Sequence, residues 1–343
     1  MCQGPPVATE NVRRLRLRAQ RLEPRCDGGG AALVHAVCGI QAQDPAAALL
    51  SVRARTTGLT EPAVRDDGGI VRTWAWRGTL HLLATADLPW VLPLVAPAAM
   101  RGVQARWRQL GLDETTYECA RDAIAEALTA AGVPLIRAQL RERLAAAGVD
   151  AGGQRLPHLV RRAALEGLLV HRLDGTFAPL ELPPSPPREA ALAELARRYR
   201  AAYGPAEPAD MAAWSGLPAA DVAEAWAHVE PEPPAREAAP AGGGPVVRLL
   251  PAFDTYLLGY RSRDAVVAPE HTRRVWPGGG WIHPVLLIDG RAAGTWRTAR
   301  TGEALTIAIS PFAVLPAAVR DRLEAEAGDV GRFLGLPARL ELP

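Results

Sequence analysis

The sequence predicts an α+β protein in which helical units closed by hairpins precede a small β domain. Two observations carry this. Twice, three stretches of helical spacing are followed by two short runs of strand formers about a turn. From Val246 onward short apolar, β-branched runs take over from helical ones. Three helices and a hairpin are the order of a winged helix, so the expected architecture is tandem winged-helix (helix-turn-helix) motifs followed by a small C-terminal β domain.

The first unit is expected over residues 1–110. Asn11–Leu22 and Ala31–Cys38 read as helices. Asp44-Pro45 marks a third start, since Asp44 can cap the free amides and Pro45 fits the first turn, where its missing N–H costs nothing. That helix runs to Arg55. Ile70–Ala84 then changes character: Val71, Thr73, Trp74, Trp76, Thr79, Leu80 and Leu82 favour strands, and Gly78 breaks them into a wing. Arg72, Arg77 and His81 on that wing are candidates to meet DNA, whereas at least one of Trp74 and Trp76 belongs in the core.

A second unit, residues 111–184, repeats the order. Its helices are Glu114–Ala130, capped by Asp113, then Leu135–Ala147 and Gln154–Glu166. Leu168–Leu173 and Thr176–Leu180 flank Asp174-Gly175, a strong hairpin-turn signal. Pro183–Pro187 is a stiff linker. In the third unit, residues 185–245, a helix over Arg188–Tyr203 precedes Ala209–Trp214 and Ala219–His228, which flank a Gly-containing turn. Pro231–Pro245 reads as a loop. The last unit, residues 246–343, is expected to hold strands at Val246–Leu250, Thr255–Tyr260, Pro284–Ile288, Ala293–Thr298 and Leu305–Ile309, with a tight turn at Asp289-Gly290 and a closing helix over Ala317–Phe333.

Composition narrows the class. The 343 residues are 48% hydrophobic and 22% charged, ordinary values for a globular chain large enough for several cores. No uninterrupted apolar run reaches the about 18 residues of a membrane span, and no secretory signal opens the chain, so no membrane partner and a cytoplasmic location are expected. All 39 basic residues are Arg. Without lysine there is no Schiff-base lysine and no Walker A lysine. A net charge of +2 rules out indiscriminate polyanion binding, yet arginines cluster, as in Arg155, Arg161 and Arg162, and guanidinium forks suit phosphate. Cys2, Cys26, Cys38 and Cys119 form no Cys-x-x-Cys pair and the histidines show no ligand spacing, so neither a metal nor another cofactor is expected.

The function is expected at Gly39-Ile40-Gln41-Ala42-Gln43-Asp44-Pro45. Ahead of a helix start, in a turn or an extended segment, Gln41 and Gln43 point the same way and converge as two neutral amides. On residues alone a solvated polar turn is the better explanation of them. Four stretches add to the reading: Gln-x-Gln-Asp-Pro, Arg72–His81, Leu250-Pro251-Ala252-Phe253-Asp254 running on to Tyr260, and Asp289-Gly290-Arg291 with Gly294-Thr295-Trp296-Arg297. Together, in this order, they resemble the AlkZ/YcaQ family of winged-helix DNA glycosylases, and the Gln-x-Gln form resembles its self-resistance branch. The YcaQ branch carries Gln-x-Asp there.

The resemblance implies tandem winged helices around a DNA-sized cleft, a β domain whose hairpin enters the duplex, and Gln41 and Gln43 as the catalytic pair. It implies a monofunctional glycosylase that hydrolyses the N-glycosidic bond of bulky cationic N7-alkylguanines or unhooks interstrand crosslinks, giving self-resistance to a genotoxic natural product of azinomycin, pluramycin or trioxacarcin type. Its partner is double-stranded DNA carrying alkylated purines, with no obligate protein partner. Asp44 is the rival catalyst, better suited to capping. Arg291 and Arg297, on the hairpin expected about Asp289-Gly290, and Arg261 and Arg263 beyond Tyr260 are the further expected DNA contacts. The alternative is a non-catalytic winged-helix regulator, which would bind a defined operator and leave alkylated DNA intact.

Overall fold

The computed structural model describes residues 6–229 and 244–343. Most of the expected loop Pro231–Pro245, and Cys2, lie outside the described residues. The class is α+β, as expected. Helices α1 (Pro6–Ala19), α2 (Gly30–Ala36), α3 (Pro45–Arg55) and α4 (Glu61–Arg65) accompany strands β1 (Ile40–Gln41), β2 (Ile70–Trp74) and β3 (Leu80–Ala84). Asp44 accepts from the amides of Ala46 and Ala47, and Pro45 opens α3. After α5 (Leu88–Arg101) and α6 (Gln104–Gln109) come α7 (Glu114–Ala131), α8 (Arg137–Ala146), α9 (Arg155–Leu165) and the hairpin β4 (Leu169–His171) and β5 (Phe177–Pro179).

The two hairpins are not separate wings. They join edge to edge, Arg72 opposite His171, into one five-stranded sheet of order β1-β3-β2-β4-β5. One row of this sheet, with Ile40, Ala42, Ile70 and Leu82, packs on the first unit's helices, including Val34, Leu49 and Val52. The other row, with Val71, Ala75 and Leu83, belongs to the largest core.

That core is organised by α5, which the sequence reading missed. Pro89, Pro93 and Pro97 punctuate the segment at four-residue spacing, so it lacks the look of a helix interior, yet Trp90, Val91, Leu94 and Val95 are all buried. Helix α10 (Arg188–Tyr203) packs on α5, and α11 (Pro208–Ser215) and α12 (Ala219–Ala227) complete the core. Trp76, Tyr199, Tyr203 and Trp214 stack at its centre, with ring centroids 4.7 to 5.2 Å apart. Gly216, at φ +72°, makes the turn between α11 and α12.

The C-terminal unit is a sheet of order β10-β9-β8-β7-β6, built from β6 (Val247–Leu250), β7 (Val285–Ile288), β8 (Arg291–Thr301), β9 (Ala304–Pro311) and β10 (Ala338–Glu341). β10 runs parallel to β9, and the other pairs are antiparallel. The closing helix α15 (Ala317–Leu334) covers one face through Val319, Leu323, Ala327 and Val330.

One expected strand is a helix. Thr255–Leu258 forms α13, capped by the Asp254 carboxylate accepting from the amide of Tyr256. The β-favouring Thr and Tyr are overridden because Asp254 is held elsewhere: it accepts from both Arg55 nitrogens at 2.7 Å and from Ser51 at 2.6 Å, all three side chains being buried. This lock fastens the end of α3 to the C-terminal unit. A further helix, α14 (Thr272–Val275), lies in the long segment between α13 and β7.

Candidate active site

The Gln-x-Gln stretch is fixed by its backbone. Gly39, at φ +95°, follows Cys38 at φ +58° in a sharp exit from α2. A Cβ on Gly39 would lie 2.8 Å from the Leu83 side chain, so only glycine fits. The Trp76 indole donates to the Cys38 carbonyl at 3.1 Å. Beyond it, Ile40 pairs with Leu82 and Gln41 with His81, making the stretch the edge strand of the first sheet. The Ala42 amide donates to the Leu80 carbonyl at 2.7 Å, and the Ala42 carbonyl accepts from Arg72 at 2.9 Å. With Asp44 committed to the helix cap, little freedom remains.

Ala42 is fully buried, whereas Gln41 before it is half-buried and Gln43 after it is exposed. Their side chains therefore leave the strand on the side opposite Ala42, as the extended reading expects. The oxygen of Gln41 accepts from Arg77 at 3.4 Å. A guanidinium has no acceptor, so the oxygen must face it and the Gln41 NH2 is turned away. Gln43 has no hydrogen-bond partner among the described residues, leaving its amide available.

His81 is not the exposed DNA contact expected on the wing. It is 2% exposed and sits directly across from Gln41, on the same sheet face. The next partner in that row is Thr73, also buried, whose hydroxyl has no partner. The His81 Nδ1 lies 3.0 Å from the Thr79 carbonyl, so it carries the proton and Nε2 is the acceptor. Burial drives the His81 pKa down to about 3, and His171, buried at the β2–β4 seam, falls to about 4 for the same reason with a smaller push from Arg72.

Both rings stay neutral in the folded chain at pH 5, while in the unfolded chain they protonate below about 6.5. The unfolded state binds more protons in that window, so stability should fall as pH drops from about 6.5 toward 4, by up to about 1.4 kcal/mol per pH unit for each ring. Thermal melts from pH 7 to pH 4 check this. His81→Asn should flatten the acid limb, and an unchanged limb would refute the assignment.

The expected arginines divide. Arg72 braces the Ala42 carbonyl from within the sheet, and burial lowers its pKa while Asp44 pushes the other way. Arg77, in a left-handed conformation at φ +54°, reaches from the Trp76–Gly78 turn to Gln41 and also donates to the Trp214 carbonyl of the third unit. Arg263 is exposed, stacks 4.5 Å over Trp276 and lies near enough to lower the pKa of Arg77, after the larger effect of burial. Arg261 is exposed on a loop whose amide is tied to Asp210 of α11.

Asp289-Gly290 does form a hairpin turn, but it is docked rather than projecting. A Cβ on Gly290 would lie 2.8 Å from the Tyr256 hydroxyl and 2.9 Å from the Arg13 side chain of α1. Arg291 therefore stands beside a docked turn. The hairpin that runs past the core is β8–β9, where Arg297, Thr298, Ala299 and Arg300 are all exposed although alternate residues face opposite ways. Arg297 lies on it. Both strands are expected from the sequence, but with the hairpin placed at Asp289-Gly290; the turn between them is marked by Gly302, at φ +61°. Arg161, named in the sequence only as a member of an arginine cluster, reaches the Gly78 and Ala99 carbonyls with its guanidinium.

Known proteins share this fold. A family model described as DNA glycosylase AlkZ-like matches residues 34–333. An interstrand DNA cross-link repair glycosylase of Streptomyces sahachiroi is 29% identical over 365 residues, covering 95% of this chain and 97% of the relative. The solved structure of the Streptomyces sahachiroi DNA glycosylase AlkZ superposes with a TM-score of 0.76 at 28% identity, covering 97% of this chain and 99% of that one. With the family model spanning nearly all of the chain and the fold agreeing end to end, the protein belongs to the AlkZ-like family of DNA glycosylases.

Proposed function

We propose that Gln41 and Gln43 form the hydrolytic centre and that the substrate is a bulky, cationic N7-alkylguanine in duplex DNA, including one half of an interstrand crosslink. The observation that carries this is the rigid edge strand: it presents two neutral amides while the neighbouring carboxylate, Asp44, is committed to the cap of α3. An N7-alkylated guanine already bears positive charge and departs as a neutral base, so acid assistance is dispensable. What remains is to place water and to face the positive charge growing on the sugar, which is positioning and electrostatic work. The Gln41 oxygen is engaged by Arg77, so the carbonyl of Gln43 is the group that orients the water, while Gln41 offers N–H donors to the cleft. Neutral lesions such as uracil should be spared, since no strong acid or base is at hand. With no lysine in the chain, no lysine Schiff base can break the strand after base release.

No helix among the described residues is long and apolar enough to cross a membrane. The reading places the enzyme in the cytoplasm at the nucleoid, protecting the cell from its own azinomycin-, pluramycin- or trioxacarcin-like alkylator.

The test is a gel assay on a duplex with one N7-alkylguanine, incubated with protein and then alkali. Strand breaks that require alkali identify a glycosylase without lyase activity. Intact DNA with both methyl and bulky intercalator adducts would refute the proposal. Asp44 is tested in the same assay: Asp44→Asn keeps a capping oxygen and should retain activity within a few-fold, whereas Asp44→Ala should cost about 1 kcal/mol of stability. Loss of turnover in Asp44→Asn with an unchanged melting temperature would make Asp44 the base instead.

A further inference from the structure

A cavity of about 380 Å³ opens where the Trp76–Gly78 turn meets α5, α9 and the α11–α12 turn, so that all three helical units contribute to it. Arg77 and Arg161 line it together with Gly78, Ala99, Gly102 and Gly216. Arg161 donates to the carbonyls of Ala99 at 3.2 Å and Gly78 at 3.4 Å, and its Nε is buried without a partner. Arg77 holds the Trp214 carbonyl with one nitrogen and reaches Gln41 with the other.

Arg77 is exposed and Arg161 half-buried, whereas several deeper arginines are neutralised by carboxylates. Arg53 is paired with Glu326 and Asp329, Arg55 with Asp254, Arg198 with Asp87 and Glu194, and Arg248 with Glu23. Among the described residues no carboxylate lies within 4.0 Å of either Arg77 or Arg161. Burial lowers the pKa of both, and no carboxylate offsets it. Arg161 is drawn partly out of water without a counter-charge, and Arg77 beside the same cavity adds a second unpaired cation, an arrangement unfavourable by itself. Each keeps spare N–H donors, since five are available and only carbonyls are served.

The walls fit a backbone ligand. A Cβ at Gly78 would lie 3.1 Å from the Arg161 guanidinium, and one at Gly216 would lie 3.1 Å from the Arg77 side chain. Glycine at both positions lets the two arginines close on the cavity. A phosphodiester supplies one negative charge and two free oxygens, which match two guanidinium forks.

We propose that the cavity between Arg77 and Arg161 seats the DNA backbone phosphate next to the nucleotide whose base is released, and that Arg77 ties this phosphate to Gln41. The inference rests on Gln41 and Gln43 being the hydrolytic pair. Its consequence is electrostatic. Arg77 beside Gln41 opposes positive charge on the reacting sugar, and a phosphate in the cavity neutralises that opposition. Duplex engagement and catalysis are thereby coupled, and a free nucleoside that carries no phosphate is a poor substrate.

The experiment replaces single phosphates around the lesion with neutral methylphosphonates and measures base release by the wild-type chain and by Arg161→Gln, which keeps donors for the carbonyls but no charge. One methylphosphonate adjacent to the lesion should lower wild-type kcat/KM by about tenfold or more. Arg161→Gln should show a loss of that size on the normal duplex and no further loss on the modified one. Insensitivity of the wild type to every flanking methylphosphonate, which needs no folded variant, would overturn the assignment, as would losses that multiply in Arg161→Gln. If inorganic phosphate alone raises the melting temperature of the wild type but not of Arg161→Gln while the methylphosphonates are silent, the cavity takes small anions and not DNA. Failure of the glycosylase reading is separately visible as no release from the unmodified duplex. The same cycle is then read as affinity by fluorescence anisotropy, with the same pattern supporting or overturning the seat.

Discussion

Gln43→Ala is expected to lower single-turnover base release from an N7-alkylguanine duplex by about 10²- to 10³-fold, the scale seen when one preorganised group facing transition-state charge is removed. The affinity for the duplex and the melting temperature should stay near wild type, because Gln43 is exposed and bonded to no other group among the described residues. Gln41→Ala should cost about an order of magnitude less in rate. Its oxygen already faces Arg77, so its contribution is to hold that guanidinium and present N–H donors rather than to orient water. The ordering is what the geometry adds to the resemblance, which treats the two glutamines alike. Equal losses in the two variants would sink the division of roles. Retention of activity within threefold in Gln43→Ala would remove Gln43 from the mechanism altogether.

Local signals were legible in the sequence wherever a residue's conformation is fixed by its neighbours. Asp44-Pro45 marked the start of α3 to the residue, and Asp174-Gly175 marked the second hairpin. The alternation about Ala42 followed once the stretch was read as extended. Features set by contacts distant in sequence were not legible. The edge-to-edge union of the hairpins depends on Arg72 meeting His171, and nothing local in either hairpin announces it. His81 looked like a wing residue because strand periodicity shows which residues share a face, not which face a later helix will cover. Thr255–Tyr260 carries β-favouring residues, but Thr255–Leu258 is a helix because Asp254 is recruited by α3. The prolines of α5 disguised a central helix. Arg161 stood in an arginine cluster like several others, and only the fold separates it from its neighbour Arg162, which pairs with Glu114 and Glu166.

Asp254→Ala is expected to be the most destabilising single change considered. Asp254 and Arg55 are both completely buried, and Arg55 donates through two nitrogens to the carboxylate and further to Gln20 and Thr255. Burial alone would raise the Asp254 pKa, yet the charge and hydrogen bonds of Arg55, with help from Ser51, hold it below the usual carboxylate value. Removing one partner leaves a guanidinium charged, dry and unpaired, which costs about 3–5 kcal/mol. In a chain of this size that corresponds to a fall in melting temperature on the order of 10 °C. Because a buried ion pair is stabilising mainly against loss of one member, Arg55→Met combined with Asp254→Leu should recover most of the deficit. A double variant no more stable than Asp254→Ala would mean that the hydrogen bonds to Ser51 and Tyr256, rather than charge, carry the lock. Activity should suffer beyond stability. Helix α3 is about 16 Å long by its residue count, with the Gln-x-Gln stretch at one end and this pair at the other. Releasing the far end frees the C-terminal unit, with Arg261 and Arg263, to shift against the glutamines. Base release by Asp254→Asn, assayed well below its melting temperature, should therefore fall while methylphosphonate sensitivity at the Arg77–Arg161 cavity is retained.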